Sequence, residues 1–106
     1  MNGKNYINGM WETTKKTYSN INPSTGKVLG EFPLTQPEDV KRAVKSARDT
    51  FHKWKKVSRF VRSDYMIRVA QIIEERKEEL AKVISLETGK NYNESIAEVN
   101  EALHMA

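Results

Sequence analysis

The chain has 106 residues and a mass of 12.2 kDa, with 18 Lys and Arg against 14 Asp and Glu, a formal charge of +4 and no cysteine. That length suits one domain and is too short for two full ones. The lack of cysteine excludes a disulfide framework, a thiolate metal site and a cysteine nucleophile within these residues. No run approaches the roughly 20 consecutive apolar residues of a membrane helix, and Met1–Lys4 leads into Tyr6-Ile7 without an apolar signal region. A soluble, cytoplasmic chain is the expectation. Charge is unevenly spread: Lys41 to Arg68 holds ten basic residues and only Asp49 and Asp64, whereas Glu74 to Glu101 holds eight Glu and four basic residues.

The predicted elements begin with Tyr6-Ile7 and Met10-Trp11 around Asn8-Gly9, a dipeptide that accepts positive φ at both turn positions and favours a tight hairpin. A strand over Thr17 to Asn22, a turn at Asn22-Pro23-Ser24-Thr25-Gly26 and a further strand over Val28 to Phe32 follow. Gly26 and Gly30 read as turn and strand punctuation. Thr35-Gln36-Pro37-Glu38 announces a first helix, with Thr35 as cap, Glu38 reaching back and Pro37 in the first turn. Val40, Ala43, Val44, Ala47, Phe51 and Trp54 then fall on one narrow face. Val61, Met66, Val69, Ala70 and Ile73 mark a second helix entered near Ser58. Leu80, Val83 and Ile84 mark a third, which Gly89 ends in the left-handed conformation. A fourth starts near Asn91 to Glu94 and carries Ile96, Val99, Leu103 and Ala106 on one side. It meets no stop signal, so more chain is expected after Ala106. The fold class is therefore α+β: a β-rich start over 1–34 and a helical region over 35–106.

Little in the chain carries chemistry on its own. His52 and His104 lie far apart without carboxylates at metal-site spacing and read as solvated or partly buried side chains. There is no Gly-x-Gly-x-x-Gly and no phosphate loop. Glu74, Glu75, Glu78 and Glu79 bracket Arg76, Lys77 and Lys82 at spacings that give ordinary helical ion pairs, which outweighs a catalytic carboxylate dyad. Lys41, Arg42, Lys45, Arg48, Lys53, Lys55 and Lys56 project away from the apolar stripe and form a solvent or partner face. A nucleic-acid contact through this basic helix, 37–56, is one rival reading. Trp54 speaks against it, because it continues the stripe where a core residue sits and is expected to pack inward, away from any base. A second rival is a binding module whose apolar helix faces contact another protein.

In order along the chain, Tyr6-Ile7-Asn8-Gly9-x-Trp11, Ile21-Asn22-Pro23-Ser24-Thr25-Gly26-Lys27-Val28-Leu29-Gly30, and Glu38-Asp39-Val40 through Phe51 with Trp54 resemble the N-terminal region of NAD(P)-dependent aldehyde dehydrogenases. Arg62, Ile72-Ile73-Glu74-Glu75-Arg76, Glu79-Leu80-Ala81, Leu86-Glu87-Thr88-Gly89-Lys90 and the stretch from Glu98 to Ala106 continue the likeness over essentially the whole chain. The resemblance implies that 1–106 is the N-terminal part of a coenzyme-binding domain within an α/β fold. The family oxidises an aldehyde to an acid, or to an acyl-CoA in one branch: a cysteine thiolate adds to the carbonyl, hydride leaves to the nicotinamide of NAD or NADP, and glutamate-activated water or CoA releases the thioester. It further implies that the remainder of such a chain is the partner, in a homo-oligomer (dimer or tetramer). The catalytic and coenzyme-binding residues of the family lie beyond Ala106, so none is assigned here, and 1–106 alone is expected to be inactive. In many members a monovalent cation is held by backbone oxygens matching Asn20 and Ile21 and by an acidic side chain matching Glu87, oxygen donors of the kind a hard cation prefers. Asn91 departs from the proline often found after Gly-Lys. With no larger body to cover them, the apolar stripes are expected to be partly exposed.

Overall fold

The computed structural model describes all residues, Met1–Ala106. Four short strands come first, β1 (Asn5–Ile7), β2 (Met10–Glu12), β3 (Thr17–Ile21) and β4 (Val28–Pro33). Four helices follow, α1 (Pro37–Trp54), α2 (Arg59–Glu75), α3 (Lys77–Thr88) and α4 (Tyr92–Met105), none long and apolar enough to cross a membrane. The chain forms two compact units. One is Met1–Ile21 with Val28–Val57, the other Asn22–Lys27 with Ser58–Ala106.

In the first unit, β1 and β2 pair antiparallel through a two-residue turn, with Asn8 at φ 52° and Gly9 at φ 79°. Positive φ at both positions matches the right-handed twist of the flanking strands, which is why Asn-Gly works here. Tyr6 sits opposite Trp11 with ring centroids 4.7 Å apart, a cross-strand aromatic pair that steadies a ribbon too short to be stable alone. β3 and β4 form the second ribbon, and Tyr18 faces Phe32 across it at 6.1 Å. The register steps from Asn20 opposite Gly30 to Ile21 opposite Val28, leaving Leu29 as an extra residue on β4, a bulge that no sequence signal announces. Thr17 and Ser19, two apart on one strand and so on one face, donate their hydroxyls to the two oxygens of Glu31 at 2.9 and 2.6 Å.

The cap of α1 lies one residue later than the sequence suggests. Gln36, not Thr35, is the N-cap, and its N–H donates to Asp39 Oδ2 at 3.3 Å in place of the expected Glu38. The Thr35 hydroxyl is engaged elsewhere, accepting from Asn5 Nδ2 at 3.0 Å. Pro37 takes the first helical position, where its missing N–H costs nothing. The helix ends at Trp54, leaving Lys55 and Lys56 of the expected basic helix in the turn beyond it. β2 is tied to α1 by Arg42, which reaches Glu12 at 2.8 Å and Asp39 at 3.1 Å.

In the second unit Ser58 caps α2 by accepting from the Val61 N–H at 3.3 Å, as expected. α2 and α3 break at Arg76, whose φ of −108° and ψ of 13° interrupt the helical path. The sequence separates the two helices between Ile73 and Leu80, and with neither Gly nor Pro at the joint its exact residue is not marked. Arg76 secures it by a forked contact to Glu79, Nε at 2.8 Å and Nη2 at 2.5 Å. Gly89 closes α3 at φ 74°, and Asn91 caps α4 by accepting from the Asn93 N–H at 2.9 Å. α4 buries Ser95 and Val99 and packs on α3, where Ala81 is buried. Periodicity names Ile96 where the structure centres on Ser95, a small polar residue that hydropathy overlooks. Its hydroxyl is satisfied by Ser85 Oγ at 2.8 Å and by the Asn91 carbonyl at 3.2 Å, so its burial carries no unmet polar atom.

Two tests follow from these geometries. Gly26 and Gly89 share a left-handed backbone, φ 69° and 74°, but a Cβ on Gly26 meets nothing within 4 Å while one on Gly89 lies 2.9 Å from Ser24 Oγ and 3.1 Å from Pro23 Cγ. Gly26→Ala costs about 1–2 kcal/mol for the backbone alone, and Gly89→Ala costs measurably more; paired chemical-denaturation curves read the difference. On the acid side, the hydroxyls of Ser19 and then Thr17 hold the Glu31 carboxyl below its ordinary value of 4.5, and Arg42 holds Asp39 below 3.8. Both contributions are complete above those ordinary values and fade as pH falls through the lowered folded-state values. Denaturation midpoints of Glu31→Gln and Asp39→Asn therefore lie below wild type near neutrality and fall less steeply on acidification.

Candidate functional site

The residues expected to carry chemistry lie on several elements. Asn20 is half-buried in β3, and Ile21 is exposed at the last position of that strand. Glu87 is exposed in the last turn of α3. The two strand residues belong to the first compact unit and Glu87 to the second. His52 and His104 occupy exposed positions in the last turns of α1 and α4. No group of three or more His, Cys, Asp or Glu side chains is placed to hold a metal ion.

The glutamate cluster resolves into local pairs. Arg76 takes Glu79, lowering the Glu79 carboxyl below its usual range through their hydrogen bond, Lys77 lies 3.8 Å from Glu74, and Arg68 reaches Glu75 at 3.3 Å. All are solvent-facing pairs of small energetic weight, as the helical spacing implies. The basic face of α1 is partly neutralised within the fold: Arg42 is occupied by Glu12 and Asp39, and Lys45 meets Asp49 at 2.5 Å.

Trp54 departs from expectation. It is 41 % exposed, and no residue of α1 is buried. The hairpin covers α1 along Ala43 and Ser46, where Ser46 Oγ and Asn8 Oδ1 are 3.1 Å apart, while Val40, Val44 and Phe51 stand further round the helix and stay open to solvent. A cleft of about 570 Å³ remains between the two, lined by Tyr6, Ile7, Ala47, Phe51 and Trp54. Exposed apolar faces, expected from the sequence, are thus the dominant surface feature.

Two segments far apart in sequence meet in the second unit. Asn22 is buried, and its Oδ1 accepts from the N–H groups of Ser24 and Thr25 at 2.8 and 3.3 Å, folding Asn22–Lys27 into a closed turn. That turn sets Pro23 and Ser24 against the bare backbone of Gly89. Asn-Pro-Ser-Thr-Gly and Glu-Thr-Gly-Lys are therefore two halves of one packing contact. The need for glycine at 89 comes from its φ and from Pro23 together; the sequence signals only the first.

Residues 11–106 match the model of the aldehyde dehydrogenase family. Malonate-semialdehyde dehydrogenase 2 of Oceanobacillus iheyensis is 41% identical over 104 residues, which is 96% of this chain and 21% of that enzyme. The enzyme of the same name from Bacillus mycoides is 40% identical over 102 residues, again 21% of its length. Among solved structures, NADP-dependent glyceraldehyde-3-phosphate dehydrogenase from Bacillus halodurans, complexed with NADP, superposes with a TM-score of 0.95 at 30% identity, over 98% of this chain and 22% of that one. NAD-dependent aldehyde dehydrogenase from Sinorhizobium meliloti gives 0.93 at 30% identity over the same shares. The chain spans about a fifth of the length of these relatives, and its short strands followed by four helices are part of their α/β fold. By its family model, its relatives and its fold, this chain belongs to the aldehyde dehydrogenase family.

Proposed function

We propose that these residues are the N-terminal part of the coenzyme-binding domain of an aldehyde dehydrogenase, serving as scaffold for an enzyme that oxidises an aldehyde to a carboxylic acid, or to an acyl-CoA, with NAD+ or NADP+. The parent acts through a thiohemiacetal on a cysteine that this chain does not contain, and as a homo-oligomer. The observation that carries this reading is a family match over residues 11–106 in a chain a fifth the length of its relatives. The dinucleotide supplies the hydride acceptor when bound. The residues present do not fit it as a site of their own: the link from β4 to α1, Leu34–Gln36, holds no glycine and is no phosphate-cradling loop. What these residues contribute is position and packing.

The names of the relatives make malonate semialdehyde the first aldehyde to try. Purified 1–106 mixed with NAD+ or NADP+ and that aldehyde produces no reduced nicotinamide above buffer. A chimera in which 1–106 replaces the aligned segment of the Oceanobacillus iheyensis enzyme keeps the turnover within about tenfold, since no catalytic group is exchanged. Turnover by 1–106 alone, or a folded but inactive chimera, contradicts the reading.

Under the same proposal Glu87 serves a monovalent cation in the parent, its exposed carboxylate being the oxygen donor such an ion prefers. Glu87→Gln in the chimera then weakens the dependence of thermal stability on Na+ or K+. An unchanged dependence removes this role.

A further inference from the structure

Asparagine is followed by glycine twice in the chain, at Asn2-Gly3 and at Asn8-Gly9, and the two pairs sit in different settings. Such a pair is chemically vulnerable, because glycine has no side chain to keep its backbone nitrogen away from the preceding side-chain amide. Around Asn2 the reacting atoms are held. The Gly3 N–H donates to the Glu31 carbonyl at 2.9 Å, and Asn2 Oδ1 accepts from the Glu31 N–H at 3.0 Å. Met1 N donates to the Leu29 carbonyl at 2.8 Å, and a Cβ added to Gly3 would run into the Phe32 ring. Asn2 is thus tied down on both sides.

Asn8-Gly9 is the open pair. Both residues are exposed at the tip of the β1–β2 hairpin, a Cβ on Gly9 meets nothing within 4 Å, and none of the chain's hydrogen bonds uses the Gly9 N–H. Ser46 donates its hydroxyl to Asn8 Oδ1 at 3.1 Å, which draws electrons from the side-chain carbonyl carbon and leaves the Gly9 nitrogen free. The ribbon behind the turn is short: Asn5 pairs with Glu12, Tyr6 with Trp11 and Ile7 with Met10, and Tyr6, Met10 and Trp11 are all exposed. A hairpin of that size opens locally at low cost, and each opening lets the Gly9 nitrogen swing onto the Asn8 side chain. Beside Asn8 lies a hollow of about 260 Å³ whose lining includes Arg42 and Lys45, cations that favour a carboxylate placed there.

We propose that Asn8 is a site of spontaneous deamidation, with water as the co-reactant, and that Asn2 keeps its amide. The Gly9 nitrogen gives up its proton and attacks Asn8 Cγ. The new bond closes a succinimide ring as the bond from Cγ to the side-chain nitrogen breaks, and that nitrogen leaves with the proton as ammonia. Water then opens the ring. Cleavage between Cγ and the Gly9 nitrogen restores the original chain path with an aspartate side chain. Cleavage between the Asn8 carbonyl carbon and the Gly9 nitrogen gives isoaspartate, linked onward through Cγ and carrying a free α-carboxylate. One water is consumed and one ammonia released, and nothing is oxidised or reduced. The isoaspartate form puts an additional carbon into the backbone of a two-residue turn built on positive φ at both positions. The turn then no longer holds Ile7 opposite Met10, and Ile7, one of the few buried apolar side chains, loses its cover.

Timed incubation of purified 1–106 in neutral buffer tests this, with peptide mapping by electron-transfer fragmentation, which separates aspartate from isoaspartate. The same incubation in denaturant supplies the reference rate of each asparagine. Relative to that reference, the amide at Asn8 is lost at least several-fold faster than the amide at Asn2, with isoaspartate as the main product. The modified fraction, separable on an ion-exchange column by its added negative charge, has a lower chemical-denaturation midpoint than the unmodified fraction. Asn8→Asp, which adds the charge and keeps the chain path, stays closer to wild type. An Asn8 amide that persists in the native chain while it is lost in denaturant overturns the site. Equal relative rates at Asn8 and Asn2 overturn the distinction between the open and the clamped pair. A modified fraction as stable as the unmodified one overturns the loss of cover at Ile7.

Discussion

Ile7, Ala81 and Val99 are the only apolar side chains that the chain withdraws from water almost completely, and both compact units are organised around that scarcity. In the first, the turn at Asn8-Gly9 reverses the ribbon tightly enough to bring Ile7 into cover, and Arg42 ties the far end of the hairpin to α1 through Glu12. In the second, the absence of bulk matters more than its presence. Ala81 and Ser95 are fully buried, and small side chains at those positions let α3 and α4 approach closely. A hydroxyl in such a seam is costly unless it is paired. The Ser85–Ser95 contact and the Asn91 carbonyl meet that requirement within a few residues of chain.

Local chemistry was legible in the sequence wherever a backbone signal acts over a few residues. The Asn-Gly hairpin, the Ser58 and Asn91 caps and the left-handed stop at Gly89 all depend on neighbours close in sequence, and they form where the sequence places them. Three features escaped that reading because their causes are remote or unmarked. Thr35 yields the cap of α1 to Gln36 because Asn5, thirty residues earlier, engages its hydroxyl. The α2–α3 joint, expected between Ile73 and Leu80, has its exact place at Arg76 set by a dihedral change that no Gly or Pro announces. The side of α1 that is covered is set by the hairpin's approach along Ala43 and Ser46, and the apolar stripe that periodicity finds is offset from it. Periodicity gives the direction of the stripe but carries no information about which element reaches it.

The family words in the sequence acquire a physical meaning from the second unit. Asn22 is buried because its side chain closes the turn that presents Pro23 and Ser24, and Gly89 is bare because those two residues lie against it. Neither segment carries reactive chemistry; each preserves the shape of the other. The most specific sequence signal in the chain thus marks a packing contact. The legible part of the site was its membership in an enzyme family. Its chemistry was not legible because no thiol is among these residues.

The contrast between α1 and α2 states what the surface requires. α1 has a single apolar stripe with charged residues around the rest of its circumference, the pattern of a helix meant to meet one neighbour. Only the edge of that stripe is covered within its unit, so one further surface laid along Val40, Val44 and Phe51 would complete it. α2 has no single stripe: its apolar residues fall on the side that its own unit packs and on two exposed lines beyond it, Phe60 with Ile67 and Val61 with Ile72. Flattening one neighbour against α2 leaves the other line wet, so its cover must come from a concave body or from two elements at once. A short ribbon or a second copy of a small unit supplies one face; a large domain with several packed layers supplies both. The distribution of Phe60, Val61, Ile67 and Ile72 around one helix is therefore a statement about the size and shape of what surrounds it.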